Sequence, residues 1–258
     1  MTLRVYLTGK VAVEDGDLLV PEKRFPGRQG RLAFAVLAWW RERAISIDEL
    51  ADIVWDGQPP NAWQTALRAL VSKLRTALGG SANIEHAFGC YQLRLPADAW
   101  VDVEACGAAI HEAETAFRDG EFQLAMGSAL VANAIARRPF LAGDGSTWSD
   151  RRREHLRQMR VRALEVRGHV ALACGDPADA ATDAEIVLDL DPYRESSYAL
   201  LMQAYVAAGN PAHALAAYEQ LRTRLAEDLG TQPSAATEAV FLDVLAAPGR
   251  QRSARPQP

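Results

Sequence analysis

Apolar and polar residues alternate in short runs at the start of the chain. Arg4 to Leu7, Val11 to Val13 and Leu18 to Val20 are separated by Gly9-Lys10 and by Glu14-Asp15-Gly16-Asp17, a pattern that predicts a small antiparallel sheet. Leu32 to Trp40 is then apolar without interruption, which predicts a helix buried on most of its sides. From Ser46 the period changes again. Ser46 and Glu49 have the spacing of a capping box, and Leu50, Ile53, Val54 and Trp55 supply one apolar face of a short helix. Asp56-Gly57-Gln58-Pro59-Pro60 breaks that helix, and Asn61 is placed to cap a second one. In the second helix Leu67, Leu70, Val71, Leu74 and Leu78 recur at three- and four-residue intervals up to Gly79-Gly80.

That stripe requires burial, so the opposite side of the helix faces outward. At about 100° per residue it carries Thr65, Arg68, Ala69, Ser72, Lys73 and Thr76, with Gln64 and Arg75 on its flank. Small, polar and cationic residues of this kind suit a helix entering a DNA major groove, although a solvated surface helix can carry them too. Beyond it, Asn83 to His86 and Tyr91 to Leu95 flank Ala87-Phe88-Gly89-Cys90 and predict a hairpin. In its second strand Gln92 and Arg94 alternate with inward-facing Tyr91, Leu93 and Leu95, offering a polar pair to a DNA backbone or minor groove.

The second half of the chain repeats. Gly175-Asp176-Pro177-Ala178 returns as Gly209-Asn210-Pro211-Ala212, at an interval of 34 residues, the tetratricopeptide period. In the copy from Glu195, Tyr198, Leu201, Tyr205, Gly209, Ala214 and Tyr218 fall at the small and apolar positions; Gly168, Gly175, Ala180 and Asp191-Pro192 do so in the copy before it. A weaker copy joins the helical stretch Val103 to Phe117 to Ala125 and Ala129 through Gly120. Small side chains at these places let antiparallel helices approach and bury one pair against the next. Between the halves, Trp148 opens a helix that carries seven arginines from Arg151 to Arg167. These arginines form either a patch for phosphate or polymerase, or a solvated face paired with Asp150, Glu154 and Glu165.

Three segments carry a family resemblance: Trp55 with Pro59-Pro60, the run Leu70-Val71-Ser72-Lys73-Leu74-Arg75-Thr76-Ala77-Leu78-Gly79, and Gly89-Cys90-Tyr91-Gln92-Leu93. Here the chain resembles the winged-helix effector domain of OmpR- and PhoB-type response regulators, and more closely its version in actinobacterial SARP-type activators. The segment from Trp148 through Arg151-Arg152-Arg153, Leu156 and Met159 is similar to the start of the bacterial transcriptional activation domain that follows it in those proteins. The resemblance covers about residues 3 to 245. It implies a mixed fold: an N-terminal α+β winged helix-turn-helix over residues 1–97 and an all-α tetratricopeptide-like helical-repeat domain over 98–247. The tail over 248–258, rich in Arg, Pro and Gln, is too polar to pack and is expected to be disordered. The resemblance further implies a sequence-specific DNA-binding transcriptional activator without the ATPase or forkhead-associated extensions of some relatives. Such an activator binds promoter direct repeats as a homodimer and recruits RNA polymerase holoenzyme, often for a biosynthetic pathway. The DNA-binding residues expected are Gln64, Thr65, Arg68, Ser72, Lys73, Arg75, Thr76, Gln92 and Arg94. The competing reading is a protein-interaction scaffold whose degenerate winged helix modulates another regulator.

Composition narrows these alternatives. With 258 residues, 49% hydrophobic and 24% charged, the chain is long enough for two cores. Its net charge of −5 is the wrong sign for a protein that binds nucleic acid over its whole surface, but residues 1–97 carry a small positive excess and the remainder a larger negative one. DNA is thereby directed to the first segment and a protein partner to the second. Three scattered cysteines, Cys90, Cys106 and Cys174, suggest neither a disulfide framework nor a zinc site and are expected to be reduced and structural. The absence of an apolar leader or an 18-residue apolar run makes the cytoplasm the expected location, with no membrane partner. No enzyme is expected, nor any metal or cofactor: His111-Glu112 lacks a second histidine, Gly9-Lys10 lacks a glycine-rich loop, and no Gly-x-Ser-x-Gly turn occurs.

Overall fold

The computed structural model describes residues 2–80 and 82–252, with side chains as far as residue 246. Two compact units are present: the residues up to Ala108 together with Ala134–Met159, and Ala109–Asn133 together with the residues from Arg160 onward.

The first unit opens with the three expected strands, β1 (Arg4–Tyr6), β2 (Ala12–Asp15) and β3 (Leu18–Val20), paired antiparallel so that Val5 lies opposite Val13 and Val13 opposite Val20. A fourth strand, β7 (Trp100–Val101), completes this sheet by running parallel to β1. Helix α1 (Gly27–Trp39) buries Leu32 through Ala38 continuously, as its unbroken apolar run requires. Then come β4 (Ile45–Ser46), α2 (Ile47–Val54), α3 (Trp63–Leu78), β5 (Asn83–Ala87) and β6 (Cys90–Arg94); the last two and β4 form a second sheet in the order β4-β6-β5. A carboxylate ties the start of the unit to its far edge. Asp102 is fully buried and accepts the backbone N–H groups of Leu7, Thr8 and Val103 and the Thr8 hydroxyl, at 2.8 to 3.0 Å. Burial pushes its pKa up, against the opposing pull of those hydrogen bonds.

Residues 134–159 belong to this same unit through specific contacts. Thr8 bridges Phe140, and the Gly9 N–H donates to the Pro139 carbonyl at 2.7 Å. The Trp148 ring packs edge-on against Trp39 and Trp40, with centroids 6.2 and 5.8 Å apart, and Phe140 lies 5.6 Å from Trp39. Arg153 donates to the carbonyls of Phe140, Leu141 and Asp144, while the Asp56 carboxylate accepts from the Thr147 N–H at the start of α6 (Thr147–Ala173).

The second unit is helical. It takes in the later part of α4 (Asp102–Arg118), most of α5 (Phe122–Ala136) and the later part of α6, then α7 (Pro177–Leu190), α8 (Glu195–Ala207), α9 (Pro211–Leu229) and α10 (Ala235–Arg252). Ala113, Ala116, Ala125, Ala129, Val166 and Val170 form one core, and small side chains there permit the close approach that the repeat pattern predicts. Gly175 and Gly209, 34 residues apart, occupy the turns that end α6 and α8. Of the apolar positions expected in the last copy, Tyr198, Leu201, Ala214 and Tyr218 are buried and Tyr205 is half-buried. Helix α10 runs to Arg252, so the first residues of the segment expected to be disordered are helical; residues 253–258 lie outside those described.

The seven arginines of α6 are largely engaged. Arg153 pairs with Asp150 and Arg157 with Glu154, as expected, whereas Arg162 reaches Glu114 and Arg167 reaches Asp183. Glu165 pairs with Arg194 instead of an arginine of its own helix; burial raises its pKa, but Arg194 and the hydroxyls of Ser196 and Ser197 outweigh this and hold it low.

Asp183 is the opposite case. It is 3% exposed, and burial pushes its pKa up to about 6 despite Arg167 at 3.1 Å. The folded chain therefore holds a proton that the unfolded chain has released between about pH 4 and pH 6, so this group's contribution to stability falls as pH rises through that window. Replacing Asp183 with Asn should flatten that part of the profile, with the variant gaining on the order of 2 kcal/mol relative to wild type between the two ends. Urea unfolding at pH 4, 5, 6 and 7 checks this, and parallel profiles for the two proteins would refute it.

Candidate nucleic-acid interface

Helix α2 begins where Ser46 caps it, its Oγ accepting the Glu49 N–H at 3.0 Å. The return half of the capping box is replaced by an ion pair: the Glu49 carboxylate takes two hydrogen bonds from Arg43, at 2.6 and 2.9 Å. Helix α3 starts differently from expectation. Its cap position is Ala62, with no side-chain cap, and the Trp63 N–H donates to the Pro60 carbonyl; Asn61 stands one residue too early to cap it. The helix ends as predicted at Gly79, whose φ of +69° suits a residue without a side chain.

Leu67, Val71, Leu74, Ala77 and Leu78 are buried and Leu70 is half-buried, so the predicted stripe forms the inner face of α3. The outer face brings together Gln64, Thr65, Arg68, Ser72, Lys73 and Thr76, all exposed. The Thr76 hydroxyl donates back to the Ser72 carbonyl at 3.1 Å. Three of the nine expected contact residues are turned to partners within the unit. Arg75 donates twice to the Ile84 carbonyl of β5, at 2.9 and 2.6 Å, and so fastens α3 to the hairpin. Gln92 donates its amide to the Arg41 carbonyl at 2.9 Å, and Arg94 forms an exposed ion pair with Glu85 at 2.8 Å. The sequence missed these commitments because each partner is a backbone carbonyl or a residue on another strand.

The hairpin is tight. Ala87 and Cys90 lie opposite each other, leaving Phe88 and Gly89 as the two turn residues, with φ values of +50° and +70°. Positive φ at both places marks a type I′ turn, which favours Asn and Gly. Phe88 is fully exposed, and the Gly89 carbonyl accepts the Ile47 N–H at the start of α2. Cys90 is half-buried in a strand, Cys106 is buried, and Cys174 is exposed, so a packing role fits the first two and not the third.

A cleft of about 500 Å³ opens between α2 and the start of α6, lined in part by Trp40, Asp52, Asp56, Trp148, Arg151 and Arg152. Arg152 stacks over Trp39, Trp40 and Trp148 at 5.1 to 5.6 Å. Among the described residues no cluster of three His, Cys, Asp or Glu side chains could hold a metal, and no helix is long and apolar enough to cross a membrane.

Residues 101–245 match the bacterial transcriptional activator domain. The chain is 28% identical over 251 residues to the regulatory protein AfsR of Streptomyces coelicolor, covering 85% of this chain and 25% of that protein. It therefore spans about a quarter of that relative's length. The regulatory protein DnrI of Streptomyces peucetius is 26% identical, over 94% of this chain and 92% of its own length. Among solved structures, that of Mycobacterium tuberculosis EmbR in complex with a low-affinity phosphopeptide superposes with a TM-score of 0.84 at 25% identity, covering 99% of this chain and 66% of that one. The domain match takes in more than half of the chain and the relatives are named as regulators, so the protein belongs to the bacterial transcriptional activator domain family as a SARP-type transcriptional regulator.

Proposed function

We propose that this regulator is a sequence-specific DNA-binding activator in which residues 1–97 act as a winged helix-turn-helix and residues 98–247 as a tetratricopeptide-like activating domain. Helix α3 enters the major groove with Gln64, Thr65, Arg68, Ser72, Lys73 and Thr76 toward the DNA, while Arg75 and Gln92 hold that surface in shape. Two copies bind promoter direct repeats head to tail, and the helical domain contacts RNA polymerase holoenzyme. The observation that carries this reading is the exposed polar and cationic face of α3, directly opposite a largely buried apolar one.

Selection from a random duplex library, followed by anisotropy titration of the enriched duplex, tests the reading. Alanine at Arg68 or Lys73 should weaken binding by about 1 to 3 kcal/mol where the side chain reads a base, or lower the salt slope by about one where it meets a phosphate. A folded Arg68→Ala/Lys73→Ala double variant that binds as tightly as wild type would overturn the assignment. The pairing of Arg75 with Ile84 and of Arg94 with Glu85 favours a second reading, because it leaves Arg68 and Lys73 as the main cations of this surface. In that reading the chain is a scaffold that modulates another regulator, and failure of wild type to enrich any duplex supports it.

A further inference from the structure

Phe88 has a conformation and an exposure that the isolated chain gives no reason for. It sits in the left-handed region at φ +50°, where a bulky residue is strained, and its ring is fully exposed. Burial of an aromatic ring normally offsets such strain, and no burial occurs here. The strained tip is nevertheless firmly placed. Gly89, its neighbour, is held by Ile47 at the start of α2, and β5 is held to α3 by Arg75. The chemistry of the tip is also one-sided: Ala87, Phe88, Gly89 and Cys90 carry no charge, and the cation nearest along the strands, Arg94, is already paired with Glu85. A hairpin with this tip is poorly equipped to grip phosphates. It is equipped to present one apolar ring.

We propose that Phe88 is an apolar wedge that enters the minor groove beside the α3 contact and opens a base step, bending the duplex. The proposal rests on the DNA-binding reading above. Insertion buries the exposed ring between bases, and the rigid ties to α2 and α3 let the tip push against the stack without folding back. Because the contact is apolar, it contributes affinity without releasing counterions. Steps that unstack easily, such as TA and CA, should be favoured under the tip.

The test uses the full chain and the duplex enriched by wild type from a random library. Phe88→Asn and Phe88→Gly suit the turn and should keep or raise the melting temperature, so lost binding cannot be assigned to misfolding. Both should weaken binding on the order of tenfold, in line with the loss of one aromatic–base stack. The slope of log Kd against log salt should stay at the wild-type value, and end-to-end energy transfer across the duplex should report a smaller bend. Phe88→Trp should retain both affinity and bend. If Phe88→Asn binds with wild-type affinity and bend, the wedge is overturned while the DNA-binding reading stands. A changed salt slope would also overturn it, by showing an ionic contact. If wild type enriches no duplex, the DNA-binding reading falls and the wedge with it.

Discussion

Replacing Trp148 with alanine should destabilise the first unit by about 3 to 5 kcal/mol, the usual cost of removing a buried aromatic ring. Trp148 is 7% exposed and closes a cluster with Trp39, Trp40 and Phe140, over which the Arg152 guanidinium also stacks. Alanine leaves a cavity that rigid neighbouring rings cannot fill, and Trp39 and Trp40 lose a packing partner. Since domains of this size are commonly stable by only about 5 to 15 kcal/mol, a single such loss is a large share of the whole. Chemical unfolding followed by fluorescence measures it, and a change below about 1 kcal/mol would show that the cluster contributes little. The same contacts predict the behaviour of a chain cut after residue 97. It lacks Phe140, Trp148 and Asp102 together, and should show no cooperative unfolding transition by calorimetry. A sharp transition from that fragment would mean that the first 97 residues fold without these contacts.

The second large effect belongs to Asp102. Its carboxylate accepts from three backbone N–H groups and one hydroxyl in a site with no exposure. Alanine removes the acceptor and strands these donors, each at about 1 to 3 kcal/mol, so the total should exceed 3 kcal/mol even if the costs overlap. Asparagine keeps one acceptor oxygen and should cost less than alanine. Equal losses for the two would show that shape, and not hydrogen bonding, sets the requirement at this position. Because Leu7 and Thr8 lie immediately after β1, the alanine variant should also loosen the β1–β7 edge, which hydrogen exchange at Trp100 reports.

The local pattern of the chain contained much of this fold. Leu67, Val71, Leu74 and Leu78 recur at helical intervals because burial along one stripe demands it, and Gly79 ends the helix for conformational reasons that act within a few residues. The hairpin and the 34-residue repeat were legible on the same grounds. What escaped were pairings between distant positions. Strands β4 and β7 have two residues each, too short to show a period, and exist because Ile45 meets Tyr91 and Arg4 meets Trp100. Trp39 and Trp40 were expected to be core, but nothing near them in sequence names Trp148 as their cover. The exposed side of α3 was read correctly as a surface. What the sequence did not show is that Arg75 on α3 and Gln92 and Arg94 on β6 have partners within the unit, because only the fold brings the Ile84 and Arg41 carbonyls and Glu85 beside them.

The double hydrogen bond from Arg75 to the Ile84 carbonyl fastens α3 to the hairpin and so limits the operators that the proposed DNA-binding reading allows. It makes the helix and the hairpin a single caliper with a fixed jaw. On the DNA-binding reading proposed above, the count of base pairs between the bases under α3 and the step under Phe88 would be set by the protein and not by the sequence it meets. Inserting one pair between them would move one contact by about 3.4 Å and turn it by about a tenth of a helical revolution, beyond what a clamped arginine can follow. If the chain binds DNA as proposed, its half-sites should therefore vary in letters but not in length.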